Sequence, residues 1–267
     1  MLVKTEAIIL KSMKYRDTSK IITFYTKEFG KLRGIAKGAR LLKNKFGSAF
    51  EPMSHSMLLI YKKDHRDLHL ISQCDTINAF KNLTEDLDRM TTALAVLELV
   101  DQIIREEERN PALFSLLIDT MSMLNDCTKN YLTYLQAFRI RFAALFGYTP
   151  NFETCSECDK RIIIGKGETQ FAFQVARGAI FCNQCINPIE LIGTQTNQNI
   201  VFTKCSAPVL QILRCLLTDQ LVGLKNIEFN KSVGNEIDEL LRLYLRFHFE
   251  VLKPLKSTEF LKINNLL

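Results

Sequence analysis

The runs Lys20-Ile-Ile-Thr-Phe-Tyr-Thr26 and Lys31-Leu-Arg-Gly-Ile-Ala36, joined across the turn Glu28-Phe-Gly30, decide how the first third of this chain folds. The first is short and rich in β-branched and aromatic residues; the second continues it after the turn, broken by Gly34. The same texture continues outward. Val3 to Leu10 precedes them. Ser56-Met-Leu-Leu-Ile-Tyr61 and Leu68-His-Leu-Ile-Ser72 follow, separated by the charged turn Lys62-Lys-Asp-His-Arg-Asp67. Short strands at such close spacing predict a small barrel, and an OB-fold fits a count of five.

From about residue 83 the period changes. Leu83, Leu87, Met90, Leu94, Leu97 and Ile104 recur at helical steps, behind an acidic start at Thr84, Glu85 and Asp86. Asn110-Pro111 ends that helix. Leu113 to Leu124 and Tyr131 to Phe146 predict two more, the latter stopped by Gly147 and Pro150. Ile162-Ile-Ile164 and Phe171-Ala-Phe173 read as short strands around Gly165-Lys-Gly167. Beyond a polar linker, Gly193 to Asn199, helices are expected over about 207–217 and 233–252, the second ended by Pro254. The Met, Phe and Leu stripes of these helices are packing faces.

Set between the helices are Cys155-Ser-Glu-Cys158 and Cys182-Asn-Gln-Cys185. A C-x-x-C knuckle presents two thiolates as one edge of a tetrahedron, and a second knuckle supplies the other edge. Four sulfurs at about 2.3 Å close the shell of one Zn²⁺ and leave no position for water, so the metal would be structural. Two redox motifs or two disulfides are the competing readings; the redox one lacks βαβ context. The remaining cysteines, Cys74, Cys127, Cys205 and Cys215, stand singly and are expected to be small buried residues.

The chain has 267 residues and a formal net charge of +6. That charge is uneven. Residues 1–80 carry eleven Lys and four Arg against seven acids, an excess of eight, whereas the remainder is slightly acidic. A polyanion partner for the first third follows. Charges at Lys4 and Glu6 stand where a signal peptide needs an apolar run, and no run of about 18 apolar residues occurs. The expectation is a cytosolic protein with reduced or metal-bound cysteines. His55, His65, His69 and His248 show no ligand or catalytic spacing, and no phosphate-binding loop or nucleophile elbow is present. Nothing argues for catalysis.

The pointed stretch is Lys31 to Phe50. Lys31, Arg33, Lys37, Arg40, Lys43 and Lys45 run without an acid until Glu51, with Phe46 and Phe50 among or just beyond them. Cations neutralise phosphates, and flat rings stack on unpaired bases. The other reading makes the rings core residues and the cations a solvated loop. Lys11, Lys14, Arg16 and Lys20, around Tyr15, form a second cluster.

Four segments carry a likeness: Tyr15-Arg-Asp-Thr-Ser-Lys-Ile-Ile-Thr-Phe-Tyr-Thr-Lys-Glu-Phe-Gly30 with Ile35-Ala-Lys-Gly-Ala-Arg40; Phe142-Ala-Ala-Leu-Phe-Gly-Tyr-Thr-Pro-Asn-Phe-Glu-Thr-Cys155; Gly178-Ala-Ile-Phe-Cys182; and Leu255-Lys-Ser-Thr-Glu-Phe-Leu261. In these the chain resembles the RecO family of bacterial recombination mediators. The resemblance implies an α+β chain with an N-terminal OB-fold barrel over 1–80 and a helical bundle over 81–150 and 193–267. A Cys₄ zinc module over 151–192 would be set into that bundle. It implies a non-enzymatic protein of the bacterial cytoplasm and nucleoid. Such a protein binds single- and double-stranded DNA and anneals complementary strands. It works with RecR and single-strand-binding protein to load RecA. The family's arginine-rich loop is leaner here, Leu41-Leu-Lys-Asn-Lys45. The alternatives are a zinc-ribbon RNA-binding or transcription-associated protein and a thiol oxidoreductase; strand annealing and bound zinc separate them.

Overall fold

The computed structural model describes residues 1–41, 46–63, 66–165, 170–186 and 201–263. They divide into two compact units, Met1–Asp126 with Leu255–Phe260, and one built on Cys127–Pro254.

The first unit opens with β1 (Leu2–Tyr15), β2 (Ser19–Thr26), β3 (Gly30–Ala36), β4 (His55–Tyr61) and β5 (His69–Asn78). They close a barrel in the order β1-β2-β3-β5-β4, with β4 pairing back onto β1. β1 pairs with both neighbours through its two edges, and its register against β2 shifts between Ile9 and Lys11. Residues Leu2–Ile8 pair with β4, and Ala7–Tyr15 pair with β2. Such a bulge bends a strand and increases its twist, as closure demands. Ile9, Ile22, Phe24, Leu32, Leu58, Ile60 and Ile71 fill the interior. Each such side chain contributes roughly 1.5–3 kcal/mol by leaving water.

Helix α1 (Leu87–Ile103) starts at Asp86, whose carboxylate accepts from Arg89 N at 2.9 Å. It is buried on most sides, so the expected single stripe does not describe it: Leu87 is exposed while Thr91, Thr92 and Ala95 are buried. Helix α2 (Pro111–Asp126) has proline first and Asn110 as its cap, accepting from Leu113 N at 3.0 Å. α1 already ends at Ile103, so Asn110-Pro111 does not end it, contrary to expectation, and is instead a helix start. Between the helices, the Tyr25 hydroxyl donates toward Asn110 O (3.2 Å) and accepts from Asn110 N (3.1 Å). Burial pushes its pKa up to about 12. Gly30 holds φ 69°, and a Cβ there would run into the Glu108 carbonyl, so this turn admits only glycine.

The second unit holds α3 (Tyr131–Leu145), β6 (Gln170–Gln174), β7 (Ala179–Phe181), β8 (Phe202–Ser206), α4 (Ala207–Thr218) and α5 (Lys231–His248). The strands form an antiparallel sheet in the order β7-β6-β8. On α5, Ile237, Leu240, Leu241, Tyr244 and Leu245 bury one face. Arg139 of α3 meets Asp238 of α5 at 2.6 Å, with both side chains nearly inaccessible. Residues 256–260 of the last helix, α6 (Lys256–Ile263), belong to the first unit.

Two expectations need correction. Ile162-Ile-Ile164 forms no strand. Its backbone is taken otherwise: Ile162 N donates to Glu153 O at 2.9 Å, and Ile162 O accepts from Arg214 at 3.0 Å. β6 pairs instead with β7 and with β8, which lies beyond the polar linker. The linker 193–199 and Lys166–Gly167 lie outside the described residues.

Candidate functional site

The knuckles are built by backbone hydrogen bonds. Cys155 N donates to Lys160 O (2.9 Å) and Asp159 N to Cys155 O (3.0 Å), while Asp159 takes φ 56° to turn the chain. The second knuckle leaves β7 directly and is closed by Cys185 N on Cys182 O at 3.0 Å. Ser156 N on Ile180 O (2.9 Å) joins the two. Gly178, at the β6–β7 turn, holds φ 60°, and a Cβ would lie 2.6 Å from the Tyr244 hydroxyl. Arg214 of α4 donates to Phe152 O and Ile162 O, fixing the segment around the first knuckle.

The four sulfurs lie within 4.8 Å of one another, and Cys158 Sγ and Cys182 Sγ are 3.9 Å apart. Tetrahedral Zn–S bonds of about 2.3 Å require sulfurs about 3.8 Å apart, so small movements complete the shell. All four are free thiols, and 3.9 Å is far beyond a disulfide bond. Burial pushes the Cys155 thiol up, but hydrogen bonds from the backbone of Cys182, Cys158 and Glu157 outweigh it and hold the pKa at about 7. Such donors favour a thiolate, the form a metal binds. These thiols can hold a metal ion. Cys74 and Cys205 are buried as expected; Cys127 and Cys215 are partly exposed, contrary to expectation.

On the barrel, strand register places the cations. Lys11, Thr23 and Arg33 form one row across β1, β2 and β3, and Met13, Ile21 and Ile35 the next. These residues alternate with the inward Ile22, Phe24 and Leu32, so they share the outer face. Lys11, Met13 and Arg33 are exposed; Ile21 and Ile35 are half-buried. Lys37 follows β3 and is exposed. At the β1–β2 turn, Lys14 and Arg16 are exposed, and the Arg16 guanidinium lies 5.3 Å from the Tyr15 ring centroid.

Other sequence candidates are placed differently. Phe46 and Phe50 are 4 % and 1 % exposed and pack 4.8 Å apart in the barrel core, so neither offers a stacking face. Lys31 donates to Asp101 O at 2.7 Å and pairs with its carboxylate at 3.6 Å. Lys20 pairs with Glu51 at 3.1 Å. Arg40 reaches the β1–β2 turn, joining the two basic clusters: Nη1 donates to Arg16 O at 2.7 Å. Lys43 and Lys45 lie outside the described residues. The row Met13–Ile21–Ile35 was not singled out from sequence, although the alternation in 20–26 carries its signal.

Comparison with known proteins adds a family. The model of the recombination protein O N-terminal region matches residues 1–80, and that of its C-terminal region matches residues 84–259. The chain is 29% identical over 260 residues to the DNA repair protein RecO of Chloroherpeton thalassium, covering 97% of each. It is 31% identical to that of Pelotomaculum thermopropionicum, over 97% of this chain and 93% of the relative. To that of Prosthecochloris aestuarii it is also 31% identical, covering 96% of each.

Proposed function

Because this chain belongs to the RecO family of recombination proteins, we propose that it acts in DNA repair and recombination as a mediator that binds and pairs DNA strands. The carrying observation is the outer barrel face. Lys11, Arg33 and Lys37 are exposed without ion-pair partners among the described residues, beside the apolar row Met13–Ile21–Ile35. Phosphates would follow the cations, and unpaired bases would lie on the apolar row and Tyr15. Lys14 and Arg16 extend the track, and Lys43 and Lys45 are proposed as further phosphate contacts.

We read the closed β1-β2-β3-β5-β4 barrel as an OB-fold, residues 1–80. The helices over 81–150 and 193–267 form the partner-binding part, around a zinc module over 151–192. Bound zinc would tie the two knuckles together and leave no open coordination position. The action is physical. Cations lower repulsion between two phosphate backbones while the barrel keeps bases unstacked for pairing, and no covalent bond changes. In this reading the protein works in the bacterial cytoplasm on single- and double-stranded DNA. It works with RecR and the acidic tail of single-strand-binding protein, so that RecA is loaded. Among the described residues no helix is long and apolar enough to cross a membrane.

The test is annealing of two complementary labelled DNA strands by the full-length protein, without nucleotide. The expected result is pairing faster than the spontaneous rate, with RecR and single-strand-binding protein retained on the tagged chain. A protein that binds RNA in preference and leaves DNA annealing unchanged would be the zinc-ribbon RNA-binding alternative.

A further inference from the structure

Arg40, one of the basic-stretch cations, bonds the neighbouring hairpin through both its backbone and its side chain. Its backbone N–H donates to Thr18 O at 2.9 Å, and its guanidinium Nη1 to Arg16 O at 2.7 Å. Both acceptors belong to the turn joining β1 and β2. That turn needs outside support: Arg16 holds φ 51°, a left-handed conformation disfavoured for a residue with a Cβ. Asparagine or aspartate can steady such a turn with a short polar side chain, but the Arg16 side chain lies over the Tyr15 ring.

Arg40 is itself held firmly. Ala39 before it is 7 % exposed and packs in the barrel core. Leu41 N donates to Gly38 O at 3.1 Å, closing a turn around it. Lys20, at the turn end of the same hairpin, is tied to Glu51. The β3–β4 connection thus grips the turn end of the hairpin through Arg40 and Glu51. Among the described residues, Lys37 is exposed and makes no such link.

We infer that Arg40 is a positioning residue for nucleic-acid binding: it fixes the β1–β2 turn that presents Arg16 and Tyr15, and is not itself a phosphate contact. This rests on the outer barrel face being the strand-binding surface. A positioned turn binds better because less freedom is lost on binding. Losing the positioner lowers affinity without changing how many counterions are released, whereas losing a phosphate contact changes both.

The experiment compares full-length Arg40→Gln, Lys37→Gln and Arg16→Gln with the parent, titrating a fluorescent single strand at several salt concentrations. Arg40→Gln should bind about five- to tenfold more weakly, with a log–log salt slope equal to the parent's. Lys37→Gln and Arg16→Gln should each flatten that slope by about 0.7. Hydrogen exchange of the amides at 17–19 should quicken in Arg40→Gln at an unchanged melting temperature, separating a loosened turn from misfolding. A slope flattened by about 0.7 in Arg40→Gln, or an unchanged affinity, would overturn the positioning role alone. If Lys37→Gln and Arg16→Gln change neither quantity, the strand-binding surface lies elsewhere and both readings fall.

Discussion

The Glu98 carboxylate accepts from both the backbone N–H and the hydroxyl of Ser257, at 3.1 and 2.9 Å, and from Lys256 N at 2.9 Å. A side chain in the middle of α1 thus caps the start of α6, some 160 residues away. The tail motif Leu255-Lys-Ser-Thr-Glu-Phe-Leu261 has a physical basis in this contact.

Glu98→Ala should therefore release the tail. Loss of a cap costs about 1–2 kcal/mol, so the melting temperature should fall and carboxypeptidase should remove residues beyond Pro254 sooner. Equal melting and equal digestion would show that α6 is held by other contacts.

The Arg139–Asp238 pair is 4–5 % exposed, and Arg139 also donates to Gln136 at 3.0 Å. Asp238→Leu leaves a buried guanidinium without its counter-charge and should cost about 3–5 kcal/mol. The double variant Arg139→Met/Asp238→Leu should recover most of that loss. A double variant no more stable than Asp238→Leu in denaturant melts would mean that the pair's geometry, rather than its charge balance, holds α3 to α5.

One zinc per chain is expected, and Cys182→Ser should lose it, melt at lower temperature and aggregate, because metal-binding energy is folding energy. Cys205→Ser, at a buried thiol outside the cluster, should keep full metal content. Purified parent protein without zinc, with all four knuckle thiols reactive, would refute the metal reading.

What was legible in the sequence was local. The strands at 20–26 and 31–36 are short-range patterns, and the knuckle spacing is another; Asn110-Pro111 was legible as a break but not as the start of α2. What was hidden depends on partners far along the chain. Nothing near Lys31 announces Asp101, so the acid-free stretch does not disclose that this one of its cations is paired from α1. Phe46 and Phe50 lie in a connection without periodicity, so their burial could not be read. Ile162-Ile-Ile164 has strand composition, yet the backbone N–H and C=O of Ile162 bond to Glu153 and Arg214. Joining β8 to β6 needs a pairing across the linker that no local signal encodes.

The most direct measurement of the central claim is the salt dependence of single-strand binding by the triple variant Lys11→Gln/Arg33→Gln/Lys37→Gln. The comparison is with the parent and with Lys129→Gln, a cation of the second unit paired with Glu228. Each phosphate neutralised on a single strand contributes a slope of about −0.7. The account predicts a triple-variant slope shallower by about 2, with affinity lowered alike for all base sequences because phosphate contacts carry no sequence information. Lys129→Gln should match the parent. An unchanged slope and affinity in the triple variant, with annealing intact, would contradict the claim that the outer barrel face binds the strand.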